Sequence, residues 1–174
     1  MNPICIVDYR PEHQPYFEKF NREWIEAFFT MEPFDEFVLT NPDEAILKNG
    51  GAILMALYEG KIAGTVGLRK VSDTIYEFTK MAVDSNFRRR GIAEAISYAS
   101  FEKATELGAE KVILYSNTKN AGAIKLYEKI GFVHLQPETG IYARANVKMA
   151  IGIEEAIAGA ENYRSAFEQD AIIK

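Results

Sequence analysis

Between Met81 and Ala93 the chain reads Met-Ala-Val-Asp-Ser-Asn-Phe-Arg-Arg-Arg-Gly-Ile-Ala: the end of an apolar strand, a short basic loop and the first turn of a helix. No other segment constrains the fold as strongly. A strand that passes straight into a helix sends that helix back across its own sheet, and the chain re-enters the sheet as a parallel strand. The helix reads from about Gly91 to Leu107, with Ile92, Ala95, Ile96 and Ala99 on one face, and Gly108 ends it. The returning strand is Lys111 to Ser116, so the segment 74–83 is expected to lie parallel to 111–116.

The other elements arrange themselves around this crossover. Ile4 to Tyr9 reads as a first strand. From Pro11 to about Phe29, Tyr16, Phe20, Trp24, Ala27 and Phe28 recur at helical spacing, and Pro33 interrupts the pattern. Asn41 reads as an N-cap, with Pro42 at the first helical position and Glu44 three residues on, opening a helical segment that fades by Asn49. Ala52–Tyr58 and Ile62–Leu68 are two strands joined at Glu59-Gly60-Lys61, and Thr74 to Val83 completes the meander. Asn120 caps a helix that runs to Ile130 and stops at Gly131. Phe132–Leu135 and Ile141–Ile151 are the last strands, around Pro137 and Gly140. The fold class is therefore α/β (mixed α+β), with an antiparallel meander and one parallel crossover. Residues 1–152 read as a single domain and 153–174 as a helical extension. Ile153, Ala156, Ile157, Ala160, Tyr163 and Phe167 share one face of that extension, which is expected to pack on the domain or on a partner such as a second copy.

Composition narrows the function classes. A chain of 174 residues suits one core rather than two. No apolar run approaches the roughly 20 residues of a membrane span, and the start lacks a basic region followed by a long apolar run, so neither a membrane partner nor a signal peptide is expected. Cys5 is the only cysteine and excludes an intrachain disulfide, while His13 and His134 lie too far apart in sequence to suggest a metal site. These features point to the cytoplasm. The net charge of −5 weighs against nucleic acid as a partner.

The segment 81–93 also carries chemistry. A helix N-terminus offers unpaired N–H groups and the positive end of the helix dipole. Gly91 and Ala93 let a pyrophosphate come close, and Arg88, Arg89 and Arg90 add charge. There is no Gly-Lys-Ser/Thr and no G-x-G-x-x-G, which excludes the common mononucleotide and dinucleotide loops. Arg88-x-x-Gly91-x-Ala93 after Met-Ala-Val resembles the coenzyme A signature of the GNAT family of N-acetyltransferases. Asn120-x-x-Ala123-x-x-Leu126-Tyr127-Glu-Lys-x-Gly131-Phe132 resembles that family's other characteristic block, at the expected distance downstream. Asn120 and Tyr127 are seven residues apart, two helical turns, and share a face. The resemblance covers roughly 52–150 and leaves out the tail.

This resemblance implies a GNAT-like fold, with a central mixed, mostly antiparallel sheet of about seven strands and flanking helices. It implies acetyl-CoA as co-substrate, no metal, and transfer to a primary amine of a small molecule within a ternary complex. Backbone N–H groups of Arg88, Arg89, Arg90, Gly91, Ile92 and Ala93 would hold the pyrophosphate, and the arginine side chains the remaining phosphate. The pantetheine arm would lie between splayed strands 74–83 and 111–116, against main chain near Met81 and Val83. The Val83 N–H would face the thioester carbonyl, and Asn120 would bond the cofactor from the other side. Tyr127 is then the general acid for the leaving thiolate. Removing a proton from an amine of pKa about 10.4 near neutral pH costs on the order of 4 kcal/mol, so a base is wanted. Glu77 is the candidate, four residues before Met81 and on its face by period two; its other reading is a partner for Lys80 or Arg69. Residues 11–48 would cover the acceptor side. There Trp24, Phe28, Phe29 and Phe34 are pocket or core, and Glu32, Asp35 and Glu36 either draw a cationic amine or are solvated. A protein or peptide N-acetyltransferase and a non-catalytic acyl-CoA sensor are the alternative readings.

Overall fold

A computed structural model describes residues 2–137 and 142–173, with side chains as far as residue 168. Strands β1 (Ile4–Asp8), β2 (Ala52–Tyr58), β3 (Lys61–Lys70) and β4 (Ile75–Val83) run antiparallel, each beside the next. Helix α3 (Ile92–Glu106) crosses over, and β5 (Lys111–Ser116) returns parallel to β4, as the strand–loop–helix join requires. After α4 (Ala121–Lys129) come β6 (Val133–Leu135) and β7 (Val147–Gly152), and β7 inserts between β5 and β6. Among the described residues the sheet has seven strands in the order β1-β2-β3-β4-β5-β7-β6, and only the β4–β5 pair is parallel. No helix among the described residues is long and apolar enough to cross a membrane.

Each face of the sheet carries its own apolar cluster. On one side α1 (Gln14–Phe28) and α2 (Pro33–Thr40) place Phe17, Ile25, Val38 and Leu39 on Ile53 and Met55 of β2. On the other, Ile92, Ile96 and Phe101 of α3 meet Leu68, Phe78, Leu114 and Met149. Helix α5 (Ile153–Ile173) lies against α3 of its own domain. Ala156 and Ala160 are buried, Gly159 faces Tyr98, and the Tyr98 and Tyr163 rings stack with centroids 4.6 Å apart. Ala156, Ala160 and Tyr163 of the apolar stripe read in the tail thus pack within the chain, whereas Phe167 is exposed.

Three local expectations are corrected. Pro33 does not merely interrupt helix; it opens α2, where its fixed φ and missing N–H suit the first turn, and the Asp35 carboxylate accepts the Glu32 N–H at 3.1 Å. Asn41 is then the C-cap of α2 instead of an N-cap, and 43–47 form one turn of π-helix. The last long strand starts at Val147, because 142–146 fold as a turn that carries Tyr142 and Arg144 inward and leaves Ala143 and Asn146 exposed. Gly140 and Ile141 lie outside the described residues.

The fourth correction matters most for the site. Gly67 of β3 faces Thr79 of β4, whereas Thr65 faces Ala82, so two steps along β3 match three along β4. The extra residue is a bulge at Lys80, whose φ is +53°. Side-chain parity changes across a bulge. Glu77 therefore shares its face with Thr79 and not with Met81, contrary to the period-two expectation. The bulge is held by a chain of hydrogen bonds. Asn21 of α1 donates to Thr65 Oγ1 at 3.1 Å, and Thr65 donates to the Lys80 carbonyl at 3.0 Å.

Candidate functional site

Strands β4 and β5 pair only through Ile75–Lys111, Tyr76–Val112 and Glu77–Ile113. Beyond Glu77 they part, β5 staying with β7 while β4 stays with β3. A cavity of about 100 Å³ occupies the opening. Phe78, Met81, Leu114, Asn120, Ala123 and Tyr127 line its inner part, and Trp24, Phe29, Lys80, Tyr115, Tyr142 and Arg144 its α1 side.

The sequence-derived site residues divide into three groups. Met81, Asn120 and Tyr127 meet at the cavity. Asn120 sits at the N-cap position of α4 but makes no side-chain cap bond, so its amide is left to the cavity instead of capping the helix as expected. Tyr127 is buried, its ring edge-on to Phe78 and Phe132 at 5.6 and 6.0 Å. Its hydroxyl has no hydrogen-bond partner among the described residues, and burial pushes its pKa well above the ordinary tyrosine value.

The second group is the loop and helix start. Arg88, Arg89 and Gly91 are exposed; Arg90 is too, with its guanidinium 4.9 Å from the Tyr58 ring centroid. Gly91 has φ +77°, which is why glycine suits it, and an added Cβ would meet no atom within 4 Å. No side chain caps α3 there, so its first N–H groups face open space. The Ile92 side chain is core and only its main chain faces that space, while Ala93 is half-buried. Val83 packs on the α3-side cluster and is not on the cavity wall.

Glu77 stands apart. It is 1% exposed and paired with Arg69, with Nε and Nη2 at 2.9 and 2.8 Å from Oε1. It does not line the cavity. Its charge still reaches Tyr142, whose pKa is raised first by burial and then by Glu77. The Tyr142 hydroxyl lies 3.4 Å from Thr79 Oγ1.

Sequence reasoning missed the site's main ionic cluster. Asp35, fully buried, accepts from Lys80 Nζ at 2.7 Å and Arg144 Nη2 at 2.9 Å, and Arg144 Nη1 also reaches Glu32 at 2.7 Å. Glu36 pairs with Arg22 at 2.7 Å. The three carboxylates first read as draws for a cationic amine are thus engaged by the protein's own cations. The turn that carries Tyr142 and Arg144 is pinned by Asn117, which donates to the Arg144 carbonyl at 2.6 Å, and by the Ala143 N–H on Glu32 at 2.9 Å. Of the aromatic candidates, Trp24 and Phe29 line the cavity, Phe34 packs on Tyr142, and Phe28 is 54% exposed. One signal was available: Lys80 is a lone cation in the buried run of β4.

A family model for the acetyltransferase (GNAT) family matches residues 11–132. The chain belongs to that family. A curated relative, N-acetylaspartate synthetase from Xenopus tropicalis, is 36% identical over 87 residues, 49% of this chain and 32% of the relative. The chain thus corresponds to about a third of that relative's length. Among solved structures, a GNAT-family acetyltransferase from Staphylococcus aureus superposes with a TM-score of 0.77 at 20% identity, covering 86% of this chain and 99% of that one. Spermidine N-acetyltransferase from Vibrio cholerae, in complex with CoA and spermine, gives 0.69 at 19% identity, covering 90% and 99%. These likenesses agree with the mixed, mostly antiparallel sheet and flanking helices of this GNAT domain.

Breaking the ionic cluster has a predictable pH signature. Burial raises the Asp35 pKa, and Arg144 and Lys80 more than reverse this, leaving the folded carboxyl below its ordinary value. Its contribution is full above the unfolded pKa of about 3.9 and is lost as pH falls through the lower folded value. Asp35→Asn is expected to destabilise the domain by about 3 kcal/mol at pH 7, since it strands buried cations. Urea unfolding measured at several pH values should show wild type and variant converging below pH about 4; a gap that widens toward acid contradicts the assignment.

Proposed function

We propose that the protein transfers an acetyl group from acetyl-CoA to a primary amine of a small molecule, by direct attack of the amine in a ternary complex. The observation that carries this reading is the cavity between the parted β4 and β5, with the Tyr127 hydroxyl unpartnered on its wall. In this reading the uncapped start of α3 and the arginines 88–90 receive the cofactor's phosphates, with Arg88 and Arg89 the more available because Arg90 already stacks on Tyr58. The pantetheine arm lies along β4 past Met81 toward Val83, with Asn120 opposite. The enclosure of the α1 side by Trp24, Phe29 and the Tyr142 turn favours a small acceptor over a peptide.

The chemistry then balances with few parts. The amine nitrogen attacks the thioester carbonyl carbon, the C–S bond breaks, and the sulfur leaves as thiolate. Tyr127 holds its proton at neutral pH, as an ordinary tyrosine of pKa about 10 already does, and its hydroxyl donates to that sulfur. The attacking nitrogen gives up one proton to the Tyr142 hydroxyl on the cavity wall, which passes its own proton to the Glu77 carboxylate. Glu77 is held by Arg69 behind Tyr142, so we assign it the positioning role of a carboxylate that acts through the Tyr142 hydroxyl, in place of a base in direct contact.

The names of the relatives include N-acetylaspartate synthetase and spermidine N-acetyltransferase, whose acceptors have opposite charge. The sign of the acceptor is therefore decided by this chain's own cavity.

Tyr127→Phe is expected to lower kcat by about 100-fold, in the range of general acid catalysis, with acetyl-CoA affinity unchanged by calorimetry; an unaltered kcat removes Tyr127 from the reaction. Glu77→Gln should slow turnover most at low pH, with the deficit shrinking as pH rises toward the amine pKa, where free amine is abundant. A deficit independent of pH in steady-state profiles would mean that Glu77 serves only to hold Arg69.

A further inference from the structure

We infer that the amine acceptor carries a carboxylate, received by Lys80 and Arg144 on the α1 side of the cavity; the inference rests on the acetyltransferase reading above. Of the described residues that line the cavity, two are cations, Lys80 and Arg144, and none is an aspartate or glutamate. The carboxylates that neutralise them, Asp35 and Glu32, stand off the cavity wall and act as anchors that fix the two cationic heads in place. Glu32 is the outer member and keeps some contact with solvent, whereas Asp35 has none. A ligand in the cavity therefore meets the cations first.

Both heads have hydrogen-bonding capacity to spare. An ammonium carries three N–H donors and a guanidinium five. Among the described residues Lys80 spends one bond, on Asp35, and Arg144 Nε makes none. Lys80 is 8% exposed, and such a buried ammonium gains from any further acceptor placed beside it. A carboxylate has the oxygens to bridge the two heads, and it brings opposite charge to two cations that are largely withdrawn from solvent.

The same wall is poorly made for a cationic acceptor. An aromatic box can bind ammonium groups through its ring faces. Here three of the lining rings, Tyr142, Phe29 and Tyr115, are already met by the protein's own cations. Lys80 and Arg144 lie 4.9 and 5.0 Å from the Tyr142 ring centroid, Lys119 and Arg144 lie 5.6 and 5.9 Å from that of Phe29, and Lys148 lies 5.7 Å from that of Tyr115. A polyamine would bring further positive charge into this group with no carboxylate on the wall to receive it. Lys80, Arg144 and Tyr127 line the same cavity, so an amino acid whose acid group rests on the two cations keeps its amine within the cavity that Tyr127 also lines.

The test uses matched amines on the full chain, with thiol release from acetyl-CoA as the readout. Glycine, β-alanine, aspartate and glutamate are compared with glycinamide, ethylamine and spermidine. The expected result is a preference in kcat/KM of at least about 100-fold for the best carboxylated amine over its uncharged or cationic counterparts, as for a site whose buried polar groups are left unpaired by the wrong substrate. Arg144→Gln should raise KM for the carboxylated amine by about 10-fold or more while changing its rate with glycinamide far less. Lys80→Arg, which keeps the charge, should retain the preference. Turnover of spermidine or glycinamide at rates equal to the amino acids overturns the inference and leaves the acetyltransferase reading standing. Bound acetyl-CoA with no thiol release for any amine overturns both. The wild-type comparison needs no variant to fold, and thermal melting separates an unfolded Arg144→Gln from one with altered selectivity.

Discussion

The bulge at Lys80 is the feature on which the site depends. A non-glycine residue at φ +53° in the middle of a central strand is strained by roughly 1–2 kcal/mol. That cost is offset where Thr65 donates to the Lys80 carbonyl and Asp35 receives its ammonium. Three elements are tied together as a result: α1 through Asn21, β3 through Thr65 and α2 through Asp35. A bulge bends its strand and raises its twist, and β4 loses β5 as a neighbour just before this point. Without the extra residue Met81 would share Glu77's face, and the wall of the cavity would have different side chains on it.

The ionic cluster extends the same logic to the rest of the cavity. Lys80, Asp35, Arg144 and Glu32 come from β4, α2 and the turn before β7, so one network closes the side of the cavity formed by α1, α2 and that turn. Ion pairs buried this deeply add little net stability compared with apolar packing, but removing one member is costly. Their value here is geometric: they hold two cations at fixed positions on the wall of the cavity that Tyr127 also lines. The sheet supplies the opening, the helices close it, and α5 on α3 completes the opposite face.

Much of this was readable along the chain, and the boundary between what was and was not has a physical basis. Strand Lys111–Ser116, helix α3 with its Gly91 and Gly108 ends, and the parallel crossover follow from periodicity, glycine conformations and handedness, all local or nearly so. Asn120 and Tyr127 share a face because helical spacing alone puts them there. Pro33 was misread because proline both ends and begins helices, and the carboxylate of Asp35 that favours the second outcome is not a usual capping signal. The face of Glu77 was misread because a bulge is specified by partners on another strand and a helix, Thr65 and Asn21, and by nothing in β4 itself. Lys80 and Arg144 lie 45 and 109 residues from Asp35, pairings that no local pattern can express.

The central claim is that the parted β4 and β5, together with the open start of α3, form the seat of coenzyme A. Amide hydrogen exchange with and without coenzyme A tests it on the intact chain, since binding there must protect main chain at both places at once. The account predicts slowed exchange in the segments 81–83 and 89–93, with β1 and the tail helix unchanged. Coenzyme A binding that leaves both segments unprotected, or that protects only surfaces away from this opening, would contradict it.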